Sequence, residues 1–286
     1  MENQRENRKN RRRRTPVRPV LVGLAALAVT GLLVLLLIRL LPSRQAPGQP
    51  SGEPAMPAPA PNPYTESDFY QDGSFIRCSA VKGFVGVDVS SHQRQIDWEK
   101  VADAGVDFAM IRVGYRGYDL GGIYLDKNWE ENAQGALDAG LSIGVYFYSQ
   151  AISVEEAQEE AKLVLDAIAD YEIDYPVVYD WECVGADART YGASSQLVTD
   201  CTAAFCQTVQ AAGYTAGFYF NQSMARDTFQ LRKLDEYDFW LAQYSDAMTF
   251  AYDVDMWQYS NSGTVDGIST AVDLNLSFRD YTGDHK

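Results

Sequence analysis

Basic charge is scarce over most of this chain. Residues 1–44 hold ten Lys and Arg against Glu2 and Glu6, a local balance of +8, so with −15 on all 286 residues the remaining 242 carry −23. A region that acidic repels a phosphate backbone, which argues against nucleic acid as a partner. Cysteine is scarce too. Cys78, Cys183, Cys201 and Cys206 are too few for a disulfide-built scaffold, and none has the CxxC spacing of a zinc site. Cys201 and Cys206 lie five apart in a predicted helix, on different faces, so a bridge between them is disfavoured and free, partly buried thiols are the expected state. No long internal repeat is present.

What is present begins with an apolar run. Val20 to Ile38 gives 19 uncharged residues rich in Leu, Val and Ala, about 28 Å of helix, which matches a bilayer core. The run is longer than a signal-peptide core, and no small-x-small cleavage site clearly follows before Arg39-Leu40-Leu41-Pro42. An uncleaved transmembrane signal anchor over 20–41 is expected. Arg5, Arg8, Lys9, Arg11 to Arg14 and Arg18 precede it, with only Arg39 and Arg44 shortly after, so residues 1–19 form a cytoplasmic tail and the rest is extracytoplasmic. Residues 42–63 hold eight of the eleven prolines and read as a semi-rigid linker reaching at most about 70 Å. A lead-in segment (64–82), a main domain (83–280) and a polar tail (281–286) complete the division.

The main domain alternates short β-branched or aromatic runs with amphipathic stretches. The pattern predicts strands at 84–90, 108–115, 142–149, 175–182, 214–220, 239–244, 255–260 and 272–276. Helices are predicted at 97–104, 126–139, 153–170 and 194–212. The first five strands are separated by crossover-length helices and should be parallel; the last three lack long helices and suggest hairpin-like closure. The fold class is α/β, an irregular, TIM-like β/α barrel.

Barrels of this kind place their reactive groups at the C-terminal ends of strands. Acidic residues recur there: Asp88 in GVDVSSHQ, and Asp180 and Glu182 in VVYDWE; Asp273 lies in the last strand, in AVDLN. Asp180 and Glu182, two apart on a strand, point to the same face, with Trp181 on the other. Two carboxyls held that close in a desolvated mouth cannot both ionise readily, so one keeps its proton near neutral pH. A protonated acid beside a carboxylate is the equipment for cleaving a glycosidic bond; a polar strand end that binds only water would carry the same residues.

In combination these segments resemble the family 25 glycoside hydrolases, the Chalaropsis-type lysozymes. The resemblance runs over about 83–278: GVDVSSHQ with IDW, FAMIRVGY, Asp126 with Trp129 and Asn132, GVYFYS, PVVYDWE, GFYF, FWLAQY, MWQYS and VDLN follow in the family's order. It implies a flattened β/α barrel that hydrolyses the β-1,4 bond between N-acetylmuramic acid and N-acetylglucosamine in peptidoglycan, with no metal or organic cofactor. It makes Glu182 the general acid and later base. Asp180 would orient and charge-stabilise the substrate's own 2-acetamido group, and Asp88 and Asp273 would fix sugar hydroxyls and the surrounding network. A direct nucleophilic role for Asp180 or Asp273 is the less favoured mechanism.

Aromatic residues at strand ends offer flat faces and polar tips to sugars, which marks Tyr146, Tyr219 and Trp257, then Tyr148 and Trp240, as substrate-binding candidates; barrel core is the plainer use of the same side chains. Arg112, in an otherwise apolar strand, should face the interior and pair with a carboxylate. His92 is expected to play a structural part near Asp88. A chitinase-type site would require Asp at 175 and 178, where Tyr175 and Val178 stand. A catalytically silent wall-binding barrel is the competing reading from another class, and release of reducing sugar from wall separates the two. The acidic balance also argues against electrostatic capture by anionic wall polymers.

Overall fold

The computed structural model describes residues 57–283. The basic tail, the apolar span and residues 42–56 of the linker lie outside the described residues. Among those described, no helix is long and apolar enough to cross a membrane.

Eight strands close into a barrel: β3 (Phe84–Val89), β4 (Phe108–Arg116), β6 (Ser142–Ser149), β7 (Val177–Trp181), β8 (Ala216–Asn221), β9 (Asp238–Ala242), β10 (Met256–Gly263) and β11 (Val272–Ser277). They are the eight strands expected, shifted by a residue or two at most ends. β4 pairs with both β3 and β6, and β3 with β11, so the sheet has no open break. A short β5 (Ile123–Leu125) lies antiparallel on the end of β4. Among the described residues there are five α-helices: α1 (Trp98–Asp103), α2 (Trp129–Asp138), α3 (Val154–Ile168), α4 (Ser195–Ala211) and α5 (Gln222–Asp227). Two helices show why these stretches coil. Ser153 and Ser194 accept hydrogen bonds from the amides of Glu156 and Leu197, capping α3 and α4. Ala157, Ala161, Val164 and Ile168 then recur at helical spacing and bury one face of α3. Cys201 and Cys206 are buried in α4, and all four cysteines are free.

One expectation is corrected. The closing strands are not hairpins throughout: β9 is parallel to β8 and β10 parallel to β9, and only β11 runs antiparallel to its neighbours. The chain returns between β9 and β10 through residues 243–255 without a helix, so a missing helix was no guide to direction. The lead-in segment contains a hairpin, β1 (Phe69–Asp72) and β2 (Phe75–Cys78), turned by Gly73 at φ +62° and Ser74. Nor is either end of the domain loose. Pro61 bridges to Tyr252 and the Asn62 side chain donates to the Phe250 carbonyl, which fixes the last linker residues to the domain. Tyr281, expected in the polar tail, is buried with its hydroxyl on Asp238.

The barrel interior has an apolar floor. Phe108 stacks on Tyr175 with ring centroids 4.1 Å apart, and Tyr281 covers Tyr175 from below. Gly86 makes this possible, because a Cβ there would lie 2.2 Å from the Phe108 ring. Above Met110, Val178 and Met256 the interior turns polar, and that is where the acids collect.

Candidate active site

A cavity of about 340 Å³ opens at the end of the barrel where the parallel strands finish. Its walls include Asp88, Asp180, Glu182 and Asp273, together with Arg112, Tyr146, Tyr148, Tyr219 and Trp240. Nine of the ten residues expected at the site therefore meet there. Trp257 does not. It is fully buried on the outer side of β10, packed edge-on to Phe69 at 5.1 Å, and its Nε1 donates to the Gln243 carbonyl. The reason is strand parity: Met256 fills the floor and Gln258 reaches the cavity, so the residue between them must face outward.

Two acid pairs form by two different routes. Asp180 and Glu182 are neighbours along one strand end and share a hydrogen bond. Asp88 and Asp273 come from strands far apart in sequence; antiparallel register sets them directly opposite each other, and they too are hydrogen bonded. Two buried carboxyls held that close resist ionising together, which favours keeping a proton within each pair. The electrostatics agree. Burial, then the charges of Glu182 and Asp88, push Asp180 well above the usual carboxylate range. Burial raises Glu182 as well, the hydrogen bond from Asp180 offsetting part of it. Asp88 is pushed well up by burial and then by Asp273, and Asp273 is raised by burial.

Asp88 is also held by neutral donors. Gln258 Nε2 and Asn275 Nδ2 each donate to Oδ2 at 2.8 Å. Gln258 is itself oriented, its Oε1 accepting from the Tyr219 hydroxyl at 3.0 Å and the Tyr244 hydroxyl at 3.1 Å. Asn275 accepts from Trp240 Nε1 at 2.8 Å. Tyr219 and Trp240 thus support the acid network, a use that their ring faces alone did not suggest. Trp240 also meets Tyr146 and Tyr219 edge to face, at 5.9 and 5.2 Å.

Arg112 does pair with a carboxylate, that of Asp126, through Nε at 2.9 Å and Nη2 at 2.7 Å. Burial alone would raise Asp126, but the amides of Asn128 and Ser91 together with Arg112 outweigh it and hold the acid low. A bulge in β4 between Arg112 and Gly114 shifts the register against β6, leaving Arg112 opposite Tyr146 and Tyr115 opposite Tyr148. Gly114 is required there, since a Cβ would sit 2.4 Å from the Tyr124 carbonyl oxygen on β5.

The sequence reading missed Gln258, Asn275 and Tyr244 as site residues. Asn275 carried a signal, being two residues from Asp273 on one strand and so on its face. Asp180 leaves one polar atom unserved: Oδ1 is buried and has no hydrogen-bond partner in the protein. A second cavity of about 690 Å³ adjoins the first through His92, Arg112 and Tyr148, and its far side carries Tyr115, Tyr118 and Val184.

Paired, buried acids inside a ring of tyrosines, at the mouth of a β/α barrel, have the chemistry of a glycoside hydrolase. The comparisons give the class a family. Residues 87–268 match the model of the glycosyl hydrolases family 25, and the chain belongs to that family. It is 29% identical over 213 residues to the protein YegX of Escherichia coli K12, covering 70% of this chain and 72% of that one. To Lysozyme M1 of Streptomyces globisporus it is 26% identical, covering 68% of this chain and 67% of the relative. Among solved structures, the modular autolysin LytC of Streptococcus pneumoniae, determined with a synthetic peptidoglycan ligand, superposes with a TM-score of 0.59 at 27% identity. The match covers 68% of this chain but only 46% of LytC, so the chain spans under half the length of that autolysin.

Proposed function

We propose that this chain is an N-acetylmuramidase that cleaves the β-1,4 bond between N-acetylmuramic acid and N-acetylglucosamine in peptidoglycan, working outside the membrane to which residues 20–41 anchor it. The observation that carries the reading is the Asp180–Glu182 pair with its unpartnered Asp180 Oδ1. Glu182, the more accessible of the two, delivers the proton to the leaving oxygen and then takes one from water. Asp180 Oδ1 accepts from the N–H of the sugar's 2-acetamido group. Forming that bond favours the charged form of Asp180, so the shared proton moves towards Glu182 when substrate is seated. The acetamido oxygen attacks the anomeric carbon as the glycosidic bond breaks, and the leaving oxygen takes the Glu182 proton; water later opens the cyclic intermediate and returns a proton to Glu182. Asp88 and Asp273 fix hydroxyls of the bound sugar.

The likeness to Lysozyme M1 and LytC supports the substrate, and the uncharged span with eight basic residues before it supports the anchor. The test is mass spectrometry of fragments from purified wall digested by the full chain. Reducing-end N-acetylmuramic acid is expected; N-acetylglucosamine ends or cut peptides would overturn the assignment.

A further inference from the structure

The hairpin β1–β2 precedes residue 87, where the family match begins, and nothing in the acid chemistry uses it. It is nonetheless built as a rigid wall. Phe69 packs edge-on against Trp257, the Ile76 amide donates to the Tyr259 hydroxyl at 3.3 Å, and Phe75, Ile76 and Cys78 are buried. Between this wall, the loop after β9 and strands β10 and β11 lies a third cavity of about 530 Å³.

Its lining is uneven in an informative way. Ile76, Tyr259 and Leu274 give an apolar floor, while Gln71, Ser74 and Ser245 with other hydroxyls give a rim of short, mostly uncharged donors and acceptors. Asp246 supplies the one ionisable carboxylate among these walls, and they hold no Lys or Arg. Such a surface does not attract an anion. It suits a neutral ligand with hydroxyl and acetamido groups around a ring that has an apolar face. Tyr244 lines both this cavity and the acid pocket. It is 53% exposed, and its hydroxyl is tied to Gln258, the residue that also holds Asp88. The shared tyrosine thus forms part of the wall of both cavities.

Resting on the muramidase reading, we infer that the glycan strand continues from the acid pocket past Tyr244 onto the hairpin, which forms a remote sugar-binding site selecting longer strands. Binding energy gained there is independent of the reacting bond and adds to the affinity of long substrates only.

The full-length chain carrying Glu182→Gln, whose turnover is slowed enough for binding to be read before cleavage, provides the test. Affinity is measured for long uncross-linked glycan strands and, by NMR titration, for the isolated disaccharide repeat. Ser74→Trp places an indole in the cavity from an exposed turn and should weaken long strands by about 10-fold, and Gln71→Ala by about 3-fold, with the disaccharide changed by less than about 2-fold in both. Gln71→Ala removes atoms without adding bulk, so it keeps the test sound if the indole disturbs the hairpin. Equal losses for long and short ligands, or no change for either, would overturn the hairpin site. Absence of N-acetylmuramic acid ends from digests by the unaltered chain would instead refute the proposed cleavage, because the binding comparison needs no turnover.

Discussion

Replacing Asp180 with Asn keeps the size of the side chain and one hydrogen bond to Glu182, but removes a charge from the pair. In the native dyad the last proton leaves only when two adjacent carboxylates are created, so like-charge repulsion raises the upper apparent pKa of the pair. Two unit charges about 4 Å apart at an effective dielectric of about 20 repel by about 4 kcal/mol, close to 3 pH units at about 1.36 kcal/mol each. Solvent reaches Glu182 and Arg112 lies near Asp180, so screening leaves only part of that repulsion, and its removal moves the upper titration of the pair downward. The direction is fixed by the chemistry: the acid must be protonated, activity falls as pH rises through its pKa, and lowering that pKa moves the alkaline limb of kcat/KM to lower pH. Peptidoglycan fragments in solution supply the rate profile. Carbon-13 NMR of the Glu182 carboxyl measures the same titration independently of the lost turnover. A Glu182 titration that stays within about 0.3 unit of the native upper pKa, or rises, would refute the shared-proton account.

Glu182→Gln removes the transferable proton itself, so turnover on peptidoglycan should fall by about 10² to 10⁴. An aryl glycoside with a good leaving group should rescue it far more than Asp180→Asn, and equal rescue would contradict the division of labour. At the opposite end of the barrel, burial and then the charge of Asp238 raise Asp255 to about 7. Its contribution to stability is complete below the unfolded carboxylate range near pH 4 and is lost as pH rises towards 7. Asp255→Asn keeps an acceptor for the Phe239 amide and should stabilise the protein by about 1–2 kcal/mol at pH 8, a figure discounted for the carboxyl's partial exposure, and by little at pH 4; urea unfolding at the two pH values checks it. For the anchor, protease added to intact wall-stripped cells should digest the domain beyond residue 63 and spare the N-terminal tail. Recovery of a protected full-length chain would reverse the proposed orientation.

The barrel was legible because its strands announce themselves locally, and all eight fall where β-branched and aromatic runs predict them. Along-strand neighbours were legible for the same reason: Asp180 and Glu182 share a face by period alone. Cross-strand relations were not. Gln258 lies 170 residues from Asp88 and Asn275 lies 187, and no local pattern says that their amides converge on one oxygen. Trp257 was misplaced by a single step of parity, which turns a side chain from the cavity to the outer layer. The hairpin had a signal that went unused, since Gly73-Ser74 between short aromatic runs suits a two-residue turn with a positive φ at its first position.

The direction of β11 is what completes the acid site. Seven parallel strands bring their C-terminal ends to the mouth, but β11 enters it with its N-terminal end, so Asp273, its second residue, lies opposite Asp88 near the end of β3. The strand's composition is inverted relative to an ordinary core strand. Val272, Leu274 and Leu276 face outward into the main apolar cluster, while Asp273 and Asn275 face the interior network, with Ser277 below them near Tyr175. A shift of one residue in the β11 register would turn Leu274 towards Asp88 and Asp273 into the apolar layer. The carboxyl pair, the amide donor to Asp88 and the outer packing of β11 therefore depend on one register. That register is secured on both sides, by β3 and by β10, and from outside by the apolar residues that the strand buries.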